Sequence, residues 1–452
     1  MRFSKLSMPL LCCVLLFSVI PVSAQKKDKT TPAVPEAAQA TPYSNVRRDN
    51  LLNGLQLITL DRQSDAIVKC DLVIRGGAMF DLVGKTGLAA LTQDSLLIVN
   101  PQIKEELASL GARMDWGVTW DTTWFHIETP ANNFGPAFEI VARLLVVETI
   151  RPEAFKKAQQ AQLEELKARK LTAAEQANEA FFNAMYGAHP YGHNIEGNEK
   201  TIAAITMGDA YDIFRKFYIA NNASAIVVGN ISHERVMQVF KVLFGGWAKG
   251  QIVPATFRQP SQTSKLKLVK VDLPQDSLNA ANIELRGGLI GVKRSDVDYL
   301  TTDVMARVLA NRLKRDADAT SITLSVKADP RILSGPVFFS ASVPGDKAAE
   351  FSRRATEAFA ALAGAPISEE EVAAAKSSLA EEYAARSIES NLREVEMFLL
   401  PRNFPTEVAG LIGKVSAADV HRVAKRLFEA NALTVVVVGK VNDAFNSGKP
   451  GL

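Results

Sequence analysis

The chain has 452 residues, 47% of them hydrophobic and 22% charged, which is globular composition with length enough for two domains with cores of their own. Fibrous, collagen-like and wholly disordered organisations are excluded. Lysine and arginine number 52 against 49 aspartate and glutamate, a net charge of +3, so nothing electrostatic directs the chain to nucleic acid or to an anionic membrane surface.

In chain order, residues 1–24 read as an export signal: Arg2 and Lys5, an apolar run from Met8 to Val22, and the small residues Ser23 and Ala24 ahead of Gln25. The run is shorter than the roughly 20 residues a membrane-spanning helix needs. An exported, periplasmic protein is expected, with a membrane anchor through an uncleaved N-terminus as the alternative. Cys12 and Cys13 leave with the signal and Cys70 stands alone, so no internal disulfide is expected and stability must come from packing. Residues 25–44, rich in Pro, Ala, Thr and Lys without periodicity, read as a flexible linker.

Structure is expected from near Arg48. Residues 53–59 and 67–74 alternate as half-buried strands of an antiparallel sheet, with Asn53-Gly54 as a turn. Residues 153–185 and 368–400 carry long helical periodicity, the second opening with Ser368 as N-cap and Glu369 to Glu371 in the first turn. An internal repeat organises the whole. Ile74-Arg75-Gly76-Gly77 returns as Leu285-Arg286-Gly287-Gly288 at an offset of 211 residues, and the strand ending at Gly229 returns ending at Gly439 at an offset of 210. The expected fold is therefore α+β, with two tandem homologous domains, each a mainly antiparallel sheet packed against helices: an N-terminal domain over 45–250, an interdomain linker over 251–264, a C-terminal domain over 265–441 and a tail over 442–452.

Four marks together resemble one family: the strand end Arg75-Gly76-Gly77, the helix entry Gly84-Lys85-Thr86-Gly87-Leu88-Ala89, the loop His189-Pro190-Tyr191-Gly192 with Gly197 after it, and the strand 225–229. With these the chain resembles the insulinase/pitrilysin-type metallopeptidases, the inverted zincins of the bacterial and mitochondrial-processing-peptidase kind. The resemblance runs from about Arg48 to about Val441. It implies two similar domains that face each other, the pair forming half of a clamshell.

The chemistry of that family needs His-x-x-Glu-His on the first long helix, where two imidazoles on one face share a zinc and the glutamate activates its water. The corresponding run here is Ala90-Leu91-Thr92-Gln93-Asp94, so both imidazoles and the base are gone. The further glutamate ligand has its counterpart in Glu164-Glu165, with Glu165 preferred; a solvated helix face is the competing reading of that pair. Positions Ala90, Gln93, Asp94 and Glu165 are thus a degenerate zinc site, and no metal or other cofactor is expected, although zinc belongs to the active relatives. The five histidines offer no substitute. His189 and His193 have i, i+4 spacing, but Pro190 and Gly192 lie between them, and His126, His233 and His421 suit surface or cap roles.

The second family signature is an Arg and a Tyr in the C-terminal domain that hold the substrate carbonyl. Arg315 is the candidate Arg, and the Tyr is missing, because none occurs between Tyr299 and Tyr383. The expected role is a non-catalytic subunit that pairs with a zinc-bearing sister chain around a peptide or unfolded-protein substrate. A stand-alone peptide-binding clamshell is one alternative, and a zinc peptidase with a rearranged site using Asp94, Glu164 or Glu165 is another.

Overall fold

The computed structural model describes residues 41–99, 102–147, 149–260, 265–273, 282–315, 321–430 and 432–440. The signal over 1–24, most of the 25–44 linker and the 442–452 tail lie outside the described residues.

The first half runs β1 (Arg47–Asn50), β2 (Gln56–Asp61), β3 (Ile67–Ile74), α1 (Leu88–Val99), α2 (Ile103–Ser109), β4 (Arg113–Val118), β5 (Thr123–Pro130), α3 (Phe134–Ala142), α4 (Pro152–Ala168), α5 (Ala173–Tyr186), α6 (Glu199–Ala203), α7 (Met207–Phe217), β6 (Ala223–Gly229) and α8 (His233–Phe244). The second half runs β7 (Lys267–Asp272), β8 (Asn282–Ile290), α9 (Tyr299–Arg315), β9 (Thr323–Ala328), β10 (Pro336–Pro344), α10 (Gly345–Gly364), α11 (Glu369–Ala385), α12 (Ile388–Phe398), α13 (Phe404–Gly413), α14 (Ala417–Ala430) and β11 (Thr434–Gly439).

The sheet orders, β1-β2-β6-β3-β5-β4 and β7-β11-β8-β10-β9, are the same apart from the added β1. The repeat read from Arg-Gly-Gly is therefore a repeat of topology. Both sheets are antiparallel except at one pair each, β2 with β6 and β7 with β11. Asn53-Gly54 does make a turn, with Gly54 at φ 90, but it joins β1 to β2. Strands β2 and β3 are not neighbours, because β6 lies between them.

Each long helical stretch is divided in two. Thr172 stops the continuation of α4 by starting a capping box with Glu175, and Ser387 caps α12 through the amide of Ser390. Ser368 caps α11 as expected, with Glu371 completing the box. The division has a large consequence. α4 and α11 stay with their own halves, whereas α5 packs on β8 and β11 of the second sheet and α12 packs on β3 and β6 of the first. Phe181 and Met185 of α5 enter a core with Ile290, Phe338, Val436 and Val438, while Leu392 of α12 enters one with Ile58, Val73 and Ile226. Both faces of each sheet are covered, so β2 and β3 are more buried than half-covered strands would be.

The repeated arginines hold these exchanged helices. Arg75 donates to the carbonyl of Glu396 on α12 at 2.9 Å. Arg286, 4% exposed, donates to Asn178 Oδ1 at 2.6 Å and to the carbonyl of Ala174 at 3.1 Å, both on α5. Residues 251–260, outside any helix or strand, are not a free tether, since the Phe257 ring packs at a tilt against Phe80, centroids 5.4 Å apart.

Candidate functional site

Helix α1 is fixed at its start by Asp81, whose carboxylate accepts from the amides of Gly87 at 2.7 Å and Ala89 at 2.8 Å. Burial pushes that carboxyl up to about 7 against the pull of these donors. Gly87 and Gly197 take φ 93 and φ 72 and pack backbone to backbone: a Cβ on Gly197 would meet the Thr86 carbonyl at 2.2 Å, and one on Gly87 would meet the Glu196 carbonyl at 2.7 Å. Two of the family-like loops thus lock the first turn of α1 against residues 192–197.

Between them opens a cavity of about 540 Å³. Its floor is Ala90, Gln93 and Asp94 of α1. Trp116, Gly117 and Val118 of β4 form one wall, and Asn178, Glu179 and Phe182 of α5 form another. The structure therefore brings three of the four degenerate positions to one open surface, and Glu165 is not among its lining residues. Gln93 is 2% exposed and donates its amide to the Trp124 carbonyl at 3.2 Å. Asp94 is pushed up to about 6, first by burial and then by the negative charge of Glu165 on α4, so α1 and α4 bring two carboxylates together.

These residues do not fit a zinc ion. Ala90 has no donor atom, Gln93 offers only a neutral amide oxygen, and two carboxylates without imidazole are a poor zinc set. Among the described residues no group of three or more His, Cys, Asp or Glu is placed to hold a metal. His189 and His193 flank a short 3₁₀ turn, not an α-helix. His189 Nδ1 accepts from the Tyr191 amide at 3.1 Å, and the His193 ring lies against the carbonyls of Ala78 and Asn194. His233 is buried, bound to Thr59 and Asp49, which corrects its surface reading, and His421 faces the Leu362 carbonyl. His126 bridges Asp71 and Glu128. Arg315 ends α9 and donates to Glu371 at 3.1 Å beside the bidentate Arg312; it is not among the residues lining the cavity.

The sequence reading missed the acidic rim. Glu175, Glu179 and Glu196 line the cavity with Asp94, and Arg169 is the one Lys or Arg among the described lining residues, donating to both Glu175 and Glu196. Hydrogen bonding from Arg169 and Thr172 holds Glu175 down at about 2, while burial raises Glu179, which accepts from Asn194 at 2.6 Å. Trp116, Trp120 and Phe182 add aromatic surface to the lining, and His193 also lies on it. Acid and aromatic faces together suit a cationic group. The i, i+4 spacing of Glu175 and Glu179 behind the Thr172 cap was the available signal.

Two topologically repeated α+β halves, with a shaped cavity over the first helix and no ligand set in it, define a peptidase-like fold. Comparison with known proteins agrees. The model of the Peptidase M16 inactive domain matches residues 204–379. An uncharacterized zinc protease of Rickettsia bellii (strain RML369-C) is 21% identical over 411 residues, 87% of this chain and 97% of its own. The Peptidase M16 inactive domain from Pseudomonas fluorescens superposes with a TM-score of 0.78 at 18% identity, over 87% of this chain and 98% of that one. The periplasmic protease PqqL from Escherichia coli gives 0.73 at 15% identity, over 88% of this chain but 48% of that one. The chain is thus similar, over most of its length, to insulinase/M16-type peptidase homologues.

Proposed function

We propose that this chain is an exported, non-catalytic subunit that holds a stretch of peptide or unfolded protein and pairs with a zinc-bearing sister chain. The observation that carries the reading is the cavity: its shape is kept over α1, while the positions that would bind zinc hold Ala90, a main-chain-bound Gln93 and Asp94. Strand β4 is the outer strand of its sheet, and among the described residues nothing pairs with its far edge. An extended chain can add there by main-chain hydrogen bonds, with Trp116 to Val118 placing it at the cavity. The acidic lining favours a peptide carrying lysine or arginine. For the partnership, PqqL supplies support: this chain covers 48% of it, and the first half of PqqL alone matches 88% of this chain, so in that protein such a unit is joined to a second half.

The test is elemental analysis of the purified protein, then light scattering and peptidase assay with and without the sister chain. No stoichiometric zinc, no cleavage alone and a stable complex burying more than about 1,000 Å² are expected. Two separate monomers at micromolar concentration sink the partnership, and peptide binding by such a monomer points to a stand-alone holder. One zinc per chain with chelator-sensitive cleavage by the chain alone would establish a rearranged catalytic site instead. A contact of Arg315 with a substrate carbonyl would require leaving Glu371; an unchanged rate with Arg315→Ala in the complex removes it.

A further inference from the structure

A second cavity, of about 610 Å³, lies where α12 of the second half crosses the first sheet. It is lined from the sheet by Asp115, Trp124 and His126, with Thr119 and Thr122 of the β4–β5 turn, and from the helical side by Arg386, Ser390, Arg393, Glu394, Met397 and Phe398. Its relation to β4 follows from the pleat. Asp115 and Gly117 stand opposite His126 and Trp124, and a Cβ on Gly117 would meet the Trp124 ring at 2.7 Å, so the indole lies flat against the glycine on the α12 side. Met114, Trp116 and Val118 alternate to the other side, toward α1 and the first cavity. The open strand β4 is therefore a partition with one cavity on each face.

The two cavities differ in chemistry. The first has the carboxylates of Asp94, Glu175, Glu179 and Glu196 with one paired arginine. In the second the cationic groups are already engaged by carboxylates, Arg393 by Asp71 at 2.8 Å, Arg386 by Glu394 at 3.2 Å, and His126 by Asp71 at 2.6 Å and Glu128 at 3.2 Å, while Asp115 stands exposed on β4. Beside the carboxylate of Asp115 and the hydroxyl of Ser390, the surface offered to a ligand is the apolar one of Trp124, Met397 and Phe398. The helix ends directly after Phe398, at Leu399 in a left-handed cap with φ 53, which leaves this last turn at the cavity rim.

We propose that the second cavity is a recognition site for an apolar side chain of the peptide held on β4. This rests on the peptide-holding reading above and deepens it. Successive residues of an added strand point to opposite faces, so residues entering the acidic cavity alternate with residues entering the apolar one. The preferred segment is an extended peptide in which basic and apolar residues alternate, read by groups from both halves of the chain.

Three fluorescein-labelled nonapeptides test this by anisotropy with the full chain: one alternating Lys and Leu, one Lys and Ser, one Ser and Leu. The Lys/Leu peptide should bind at least about tenfold more tightly than either of the others. Ser390→Phe, which fills the second cavity from α12, should reduce Lys/Leu binding to the Lys/Ser level and leave Lys/Ser binding unchanged. Phe398→Ala, which removes apolar wall, should weaken Lys/Leu binding selectively, and it serves if Ser390→Phe fails to fold. Equal binding of Lys/Leu and Lys/Ser, insensitive to the folded variant, overturns the second site while the peptide-holding reading stands. Failure of all three peptides to bind overturns that reading, and this proposal with it.

Discussion

Replacing Asp94 by asparagine should stabilise this protein, with a pH dependence fixed by the cavity. The carboxyl moves from 3.8 to about 6 on folding, through burial first and Glu165 second. At about 1.4 kcal/mol per pH unit that is about 3 kcal/mol, and the partial exposure of the site trims it to about 2 kcal/mol. The sign follows from which state holds the proton. Below about pH 4 both folded and unfolded chains carry it, and Asp94 costs nothing. As pH rises from 4 to 6 the unfolded chain ionises first, so stability is progressively lost; above pH 6 both states are charged and the loss is complete. Asparagine has nearly the same shape and no charge, so the variant should match the parent near pH 4 and exceed it by about 2 kcal/mol at pH 8. Urea unfolding of both proteins at intervals across pH 4 to 8 reads the difference, and other titrating groups cancel in the comparison. A difference independent of pH, or an asparagine variant less stable at pH 8, would refute the account of Asp94 as a desolvated carboxylate facing Glu165.

Gly197→Ala should destabilise by about 2–4 kcal/mol in the same assay, since a Cβ lands 2.2 Å from the Thr86 carbonyl at φ 72; a loss under about 1 kcal/mol would mean the loop yields freely. Arg286→Ala should cost about 2–4 kcal/mol by leaving the partly buried Glu284 and Ala174 carbonyl without their partner, and hydrogen exchange should accelerate first in α5. Uniform acceleration throughout the chain would argue against a specific anchor. Ala90→His combined with Gln93→Glu and Asp94→His should create stoichiometric zinc binding with Glu165 as third ligand, measured by elemental analysis after dialysis. Gln93→Glu also removes the donor to the Trp124 carbonyl, so a stability loss of about 1–3 kcal/mol should accompany it.

Much of this was open to a reader of the sequence, because local chemistry encodes it. Asn53-Gly54 makes its turn, Ser368 caps its helix, and Arg75-Gly76-Gly77 and its copy at 286–288 mark equivalent strands, since turn conformation, capping and close backbone approach each demand particular residue types. The loss of imidazole at Ala90 and Asp94 needs no coordinates either. Other features are relations between distant segments, for which no local pattern exists. The break at Thr172 is a local signal, but that α5 then crosses to the opposite sheet depends on which apolar surface it can bury. The pairing of β2 with β6 depends on the chain's return after the intervening helices α1 to α7. Glu175, Glu179, Glu196 and Asp94 are ordinary acids in sequence, and they become one acidic cavity only because Gly87 and Gly197 let two loops touch. The two faces of β4 were likewise undecided until α1 was placed against one and α12, arriving from the other half onto β3 and β6, was placed across a cavity from the other.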